Sequence, residues 1–214
     1  LMGVLLVSQL LGMLVFGPIM TKTSKKATIL IGAPIRIVCT LGLLAFSYEG
    51  APIAPILALS AGVGIGNAAT LTSIFAILAD MADVDELITS VSRPGIVSGM
   101  ATFARKISAG LSAWVIGILI SFAGYDASIA KAGLRQSLHT QNGIAMIFIF
   151  LPVILVTLLL IFGYMFPITK KEFELVHKEI ARRKGEDDSV ATEEEKKVLK
   201  RVTGIEYEQL WGNK

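Results

Sequence analysis

An all-α integral membrane protein, with about five transmembrane helices and a cytoplasmic helical tail, is the fold this sequence predicts, and three observations predict it. The first is composition: 53% of the 214 residues are hydrophobic, only 17% are charged, and the mean hydropathy is +0.67. A soluble core of this size does not need so much apolar surface. The second is segregation of charge, because residues 1–21, 51–79, 107–125 and 142–169 contain no Asp, Glu, Lys or Arg. Runs of about 20 apolar residues, at about 1.5 Å rise each, are long enough to cross a bilayer. The third is the abrupt change after residue 169, where charges become dense and helix-start signals appear.

The net charge of +3 resides in loops and tail, so it speaks for orientation in a membrane and against nucleic-acid binding. No basic stripe with interleaved aromatics is present. The single Cys39 lies in an apolar run and has no internal disulfide partner, and no Cys/His spacing suits a metal. Residues 1–20 lack a basic start and a polar cleavage region, so they are not read as a signal peptide. The chain is expected to be cut from something longer.

The first span covers residues 1–20 and carries Gly3, Gly12, Gly17, Ser8 and Gln9. Small residues let helices approach closely in lipid, and Gln9 is expected to bond a neighbouring helix rather than line a cavity. A basic loop with Lys22, Lys25 and Lys26 follows. The second span, 27–48, holds Pro34 and Arg36. Arg36 lies roughly 15 Å along the helix, so it must face protein or water, or snorkel to the basic loop. Residues 49–52 form a turn.

The third span, 55–79, contains Gly62-Val-Gly-Ile-Gly-Asn67. A phosphate loop would need a preceding strand and a following Gly-Lys-Ser/Thr, so close helix packing is the better account of these glycines. Asn67, Thr70, Ser73, Ile77 and Asp80 fall on one stripe of that helix. The fourth span, 96–124, has Thr102, Lys106, Gly110 and Gly117 near one face and Arg105, Ala109 and Ser112 near the next. Consecutive residues differ by about 100°, so Arg105 and Lys106 point apart and only one of them is aimed at a cavity. Residues 125–141 are polar, and His139 reads as a loop residue. The fifth span, 142–166, is the most uniformly apolar and is expected to face lipid, with Pro152 as a possible kink.

From Thr169 onward a tail, 169–214, is predicted. Thr169 to Glu172 and Thr192 to Glu195 match the capping-box pattern, and Phe173, Val176 and Ile180 recur at helical spacing. These are expected to be surface helices against the bundle, or partly disordered. His177 does not fit the spacing of a zinc-protease motif.

The stretch 79–106 is where charges appear at chosen points: Asp80, Asp83, Asp85 and Glu86, then Arg93 and a Pro-Gly turn, then Arg105 and Lys106 inside an apolar helix. Ionisable groups at membrane depth are costly and usually functional. The acids sit at the expected helix end without His partners, so no metal site, no catalytic residue and no intramembrane enzyme are predicted. Lys and Arg counts place the loop at 22–26, the turn at Arg93 and the start of the tail on the inner side, which makes the C-terminus cytoplasmic and Leu1 external.

In this stretch the sequence resembles the glycoside-pentoside-hexuronide:cation symporters, the melibiose-carrier branch of the major facilitator superfamily. Ala79-Asp-Met-Ala-Asp-Val-Asp-Glu86 is similar to the family's A-D-x-x-D-Y-x-E, with Val84 in place of Tyr. Arg93 and Gly95 resemble its R-x-E-G loop, with Pro94 in place of Glu. Thr102 to Lys106, leading to Gly124-Tyr125-Asp126, resemble its eleventh helix and closing G-Y-D. The resemblance runs over nearly the whole chain, as helices eight to twelve plus the tail. It implies cell-membrane symport of a sugar with sodium or proton by alternating access. It also implies that the coupling cation is bound mainly by an N-terminal half absent here. Lys106 and Thr102, with Arg105 beside them, are implied substrate contacts. Asp80, Asp83 and Glu86 are implied to form a cytoplasmic gate with Arg93. The competing readings are a facilitator of another substrate, a drug or lipid, and a half-transporter that assembles with a partner chain.

Overall fold

The computed structural model describes residues 1–48, 50–165 and 169–212, and among them every regular element is helical. Long helices run over Met2–Lys22 (α1), Lys25–Gly42 (α2), Ile53–Thr89 (α3), Pro94–Phe122 (α4) and Leu138–Met165 (α6). A short α5 covers Ala127–Lys131, and the tail supplies α7 at Lys170–Lys184 and α8 at Glu193–Thr203, closing with a 3-10 turn at Tyr207–Gly212. Among the described residues five helices are long and apolar enough to cross a membrane, as predicted. Glu49 of the predicted turn, residue 166 of the predicted fifth span and residues 213–214 of the tail lie outside the described residues.

α3 is the centre of the bundle, with α1 and α2 packed along it and α6 on the far side of α2. The glycines make this possible. A Cβ on Gly64 would stand 2.5 Å from the carbonyl of Leu5 on α1, and one on Gly66 would stand 2.7 Å from the carbonyl of Gly32 on α2. Both backbones are closer than any side chain allows, which is how helices associate when lipid removes the hydrophobic drive. The close-packing account of the glycine run is thus borne out.

Three boundaries differ from the expectation. α3 does not stop at Ala79 but continues through the acidic cluster to Thr89. Nothing in 80–89 breaks a helix, and the end comes at Ser90, in a left-handed conformation with its N–H bonded to the Glu86 carbonyl. At 37 residues α3 is about 55 Å long, far more than the roughly 30 Å of hydrocarbon, so its last turns project beyond the membrane. The second span shortens to Gly42 and tightens into a 3-10 turn over Leu43–Phe46. His139 lies in the first turn of α6 rather than in a loop.

The tail is folded on that projecting end. Leu87 of α3 joins Val176, Ile180, Leu199 and Leu210 in one buried cluster. Each predicted tail helix starts where expected. The Thr169 N–H donates to Glu172 at 2.6 Å, and at α8 Thr192 and Glu195 bond each other's backbone N–H. α7 ends at Gly185 and α8 at Gly204, both left-handed, as C-terminal glycines do.

Candidate functional site

α2 and α3 run antiparallel, so a cation at the start of α2 meets the far end of α3. Lys25 pairs with Asp80 there, and its Nζ also donates to the Ala76 carbonyl at 3.2 Å. Deeper in the bundle, Arg36 Nη1 donates to Asn67 Oδ1 at 2.9 Å, and Asn67 Nδ2 donates to Gln9 Oε1 at 2.9 Å. One amide thus joins α1, α2 and α3 at mid-depth. Gln9 makes the interhelical bond expected of it, and Arg36 faces protein.

Beyond Asp80 the acids form a charged collar. His177 Nε2 lies 3.5 Å from Asp83, and Lys184 Nζ lies 2.6 Å from Glu86. Arg93 takes Asp85 instead, through Nη2 at 2.8 Å and Nε at 3.1 Å. Asp85 is not among the acids expected to meet Arg93, and here it is the one that does. With α3 helical to Thr89, Asp85 is the acid facing the turn into α4, while Asp83 and Glu86 face the tail. His177 and Lys184 were missed as partners. The available signal was the apolar stripe of α7, which lays Val176 and Ile180 on α3 and brings these two side chains over its acids. The Glu86 carboxylate holds the Lys184 ammonium above the usual lysine range.

The tail carries its own buried charge. Glu179, 0% exposed, accepts from the Tyr207 hydroxyl at 2.7 Å, Arg183 Nε at 2.9 Å and Arg182 Nη1 at 3.2 Å. Arg182 also donates to Glu195 at 2.9 Å. Three donors satisfy one carboxylate, which is what a buried anion requires. Burial and then Glu179 push the Tyr207 phenol up.

α4 is different. None of its residues is buried, and it meets α3 near its start and α6 near its end. Thr102, Arg105 and Lys106 are all exposed midway along it, and among the described residues no hydrogen bond or ion pair engages Arg105 or Lys106. The fold does not bring these three together with the collar acids. What it leaves is an uncovered apolar helix that carries two cations, pointing about 100° apart, and a hydroxyl, able to donate to oxygen-rich groups laid against it. Among the described residues no group of three His, Cys, Asp or Glu side chains could hold a metal.

Comparison with known proteins agrees with this architecture. A putative sulfoquinovose importer of Escherichia coli is 33% identical over 125 residues, which is 56% of this chain and 24% of the relative. A glucuronide carrier protein homolog of the same organism is 26% identical over 184 residues, 84% of this chain and 38% of the relative. The chain therefore spans well under half the length of the curated relatives it matches. No solved structure matches it. The model of the family described as MFS/sugar transport protein matches residues 1–170, the whole of the membrane bundle, and the chain belongs to that family.

Proposed function

We propose that this chain forms part of a secondary active transporter that moves a sugar or glycoside across the cell membrane with sodium or proton, by alternating access. The observation that carries the reading is the pair Arg105 and Lys106, two cations at membrane depth on the uncovered α4 of a sugar-transport family member. Charges in that position are retained for a ligand or an opposing carboxylate. Lys106 and Thr102 donate to sugar oxygens, and the excess of positive charge favours sugars with an acidic group, such as glucuronides or sulfoquinovose. The carboxylates that bind the coupling cation belong to a part of the transporter outside this chain. The collar of Asp80, Asp83 and Glu86, with Arg93 beside it, is assigned to the cytoplasmic gate, and the basic loop at 22–26 and the tail to the cytoplasmic side.

The test is uptake of a labelled glucuronide, sulfoquinovose and a neutral glycoside into vesicles holding the full transporter, with and without Lys106→Ala. Uptake driven by a sodium or proton gradient and lost in the variant supports the reading. Gradient-independent transport, or full activity without Lys106, would overturn it.

A further inference from the structure

At mid-depth the bundle holds a cation that no carboxylate among the described residues compensates. Arg36 is half-buried, and its one hydrogen bond among those residues goes to a neutral acceptor, Asn67 Oδ1, at 2.9 Å. The acids of α3 begin only at Asp80, about 20 Å along the helix from Asn67, and Asp80 is taken by Lys25. A guanidinium can only donate, so it fixes the orientation of both neighbouring amides. Asn67 turns Oδ1 to Arg36 and Nδ2 to Gln9, and Gln9 accepts with Oε1. The side-chain acceptors are thereby spent while donors are left over: the remaining N–H groups of Arg36 and those of Gln9 Nε2 engage nothing among the described residues. These free donors stand on the two flanks of α3, since α1 and α2 pack on either side of it. Their places are fixed, because Gly64 lies against Ser8 and Gln9 and Gly66 lies against Arg36, at the closest helix contacts of the bundle.

We infer that Arg36, with Gln9 beside it, binds the acidic group of the transported sugar, a carboxylate or sulfonate, and is the residue that selects acidic over neutral sugars. A cation left uncompensated at this depth is costly and calls for an anion. A site whose acceptors are spent and whose donors are in surplus suits a ligand group that only accepts, and the guanidinium fork fits an oxyanion. An acidic side chain from another part of the transporter would satisfy Arg36 but leave the Gln9 amide on the other flank of α3 without an acceptor. A sugar acid carries an oxyanion and hydroxyl oxygens together and reaches both. The inference rests on the sugar-transport reading and divides the work within it: Lys106 and Thr102 donate to hydroxyls that acidic and neutral sugars share, and Arg36 reads the acid.

The test reads binding rather than transport. The full transporter, purified in detergent, is titrated with methyl glucuronide and with methyl glucoside, which differ only at the acid group, and affinity is measured by calorimetry. The unmodified protein should bind the glucuronide about tenfold more tightly, the scale of one hydrogen-bonded charge. Arg36→Gln should remove that preference by weakening the glucuronide alone, and Arg36→Lys should keep part of it. Gln9→Glu, which still accepts from Asn67 but sets a negative charge in the site, should remove it too. Lys106→Ala should weaken both sugars alike, and the melting midpoint of each ligand-free variant reports whether its fold is kept. No preference in the unmodified protein, or a preference untouched by Arg36→Gln and Gln9→Glu, overturns the inference. So does equal weakening of both sugars by Arg36→Gln, the result expected if Arg36 pairs with a carboxylate of the transporter itself. An Arg36-dependent preference in a protein without gradient-driven sugar uptake would sink the proposed symport and leave this inference standing.

Discussion

Replacing Glu179 by alanine should detach the tail from α3. The carboxylate is wholly buried and holds Tyr207, Arg183 and Arg182 at once. Removing one partner of a buried ion pair costs about 3–5 kcal/mol, because the remaining charge is left without compensation. Two features lower that figure here: Arg182 keeps Glu195, and the Arg183 side chain is 20% exposed. About 3 kcal/mol is the expected loss, which corresponds to roughly a hundredfold rise in the population of the opened tail. The assay is hydrogen exchange of the α7 and α8 amides in the detergent-solubilised protein, with α3 amides near Asn67 as an internal reference. The expected result is loss of protection in α7 and α8 with the reference unchanged. If protection of α7 fell by less than about threefold, the carboxylate would not be what holds the tail together.

Three further outcomes follow from the same geometry. Gly66→Ala drives a methyl group into the Gly32 carbonyl and the Arg36 backbone, so it should lower stability by about 2 kcal/mol, seen as a reduced melting midpoint in detergent; Gly17→Ala, with nothing within 4 Å, should not. Asn67→Leu removes the amide shared by Arg36 and Gln9 and should cost roughly 1–2 kcal/mol, while Gln9→Leu, which leaves Arg36 its acceptor, should cost less in the same melt. The Glu195 carboxyl is held at about 2, from an ordinary 4.5, by the Thr192 backbone N–H and then by the Arg182 guanidinium. Its folded value is depressed, so its contribution to tail docking is complete above about pH 4.5 and is lost as the pH falls toward 2. Hydrogen exchange of α8 at pH 5 and pH 2.5, corrected for intrinsic rates, should show release only at the lower pH, and Glu195→Gln should be loosened already at pH 5.

The spans were legible because charge is excluded from the hydrocarbon, and Gly64 and Gly66 because interhelical approach in lipid selects for small residues. The capping boxes at Thr169 and Thr192 were legible because they are local. The end of α3 was not, since a run of acids marks where a span leaves the membrane and not where its helix ends. Ala82, Leu87 and Ile88 continue the helical pattern past that boundary, and Leu87 has a buried place waiting in the tail. The partners of Asp83 and Glu86 were hidden for a different reason. His177 and Lys184 reach them only after the tail has folded on itself, and spacing carries no signal for contacts so distant in sequence. The pairing of Arg93 with Asp85 was not legible because the register of the turn into α4 depends on that same unseen helical extension.

Leu87 is part of the tail's buried cluster, and Glu86 is bonded to Lys184, so α7 and α8 move with the end of α3. α3 is in turn locked to α1 and α2 by backbone contacts at Gly64 and Gly66 and by the Gln9–Asn67–Arg36 chain. Interfaces packed this tightly do not deform gradually. The three helices and the tail therefore behave as one body, with Lys25–Asp80 and Lys170–Thr21 inside it rather than across its boundary. α4 is tied to α3 by the Arg93–Asp85 bridge at the turn between them. A gate built on Asp83 and Glu86 must then work by exchange, an incoming cation displacing His177 or Lys184. A gate built on Asp85 would need only the α3–α4 turn to move. Transport should on this argument be more sensitive to Asp85→Asn than to Asp83→Asn, measured as the inward–outward balance in the full transporter. The reverse ranking would place the gate at the tail and not at the turn.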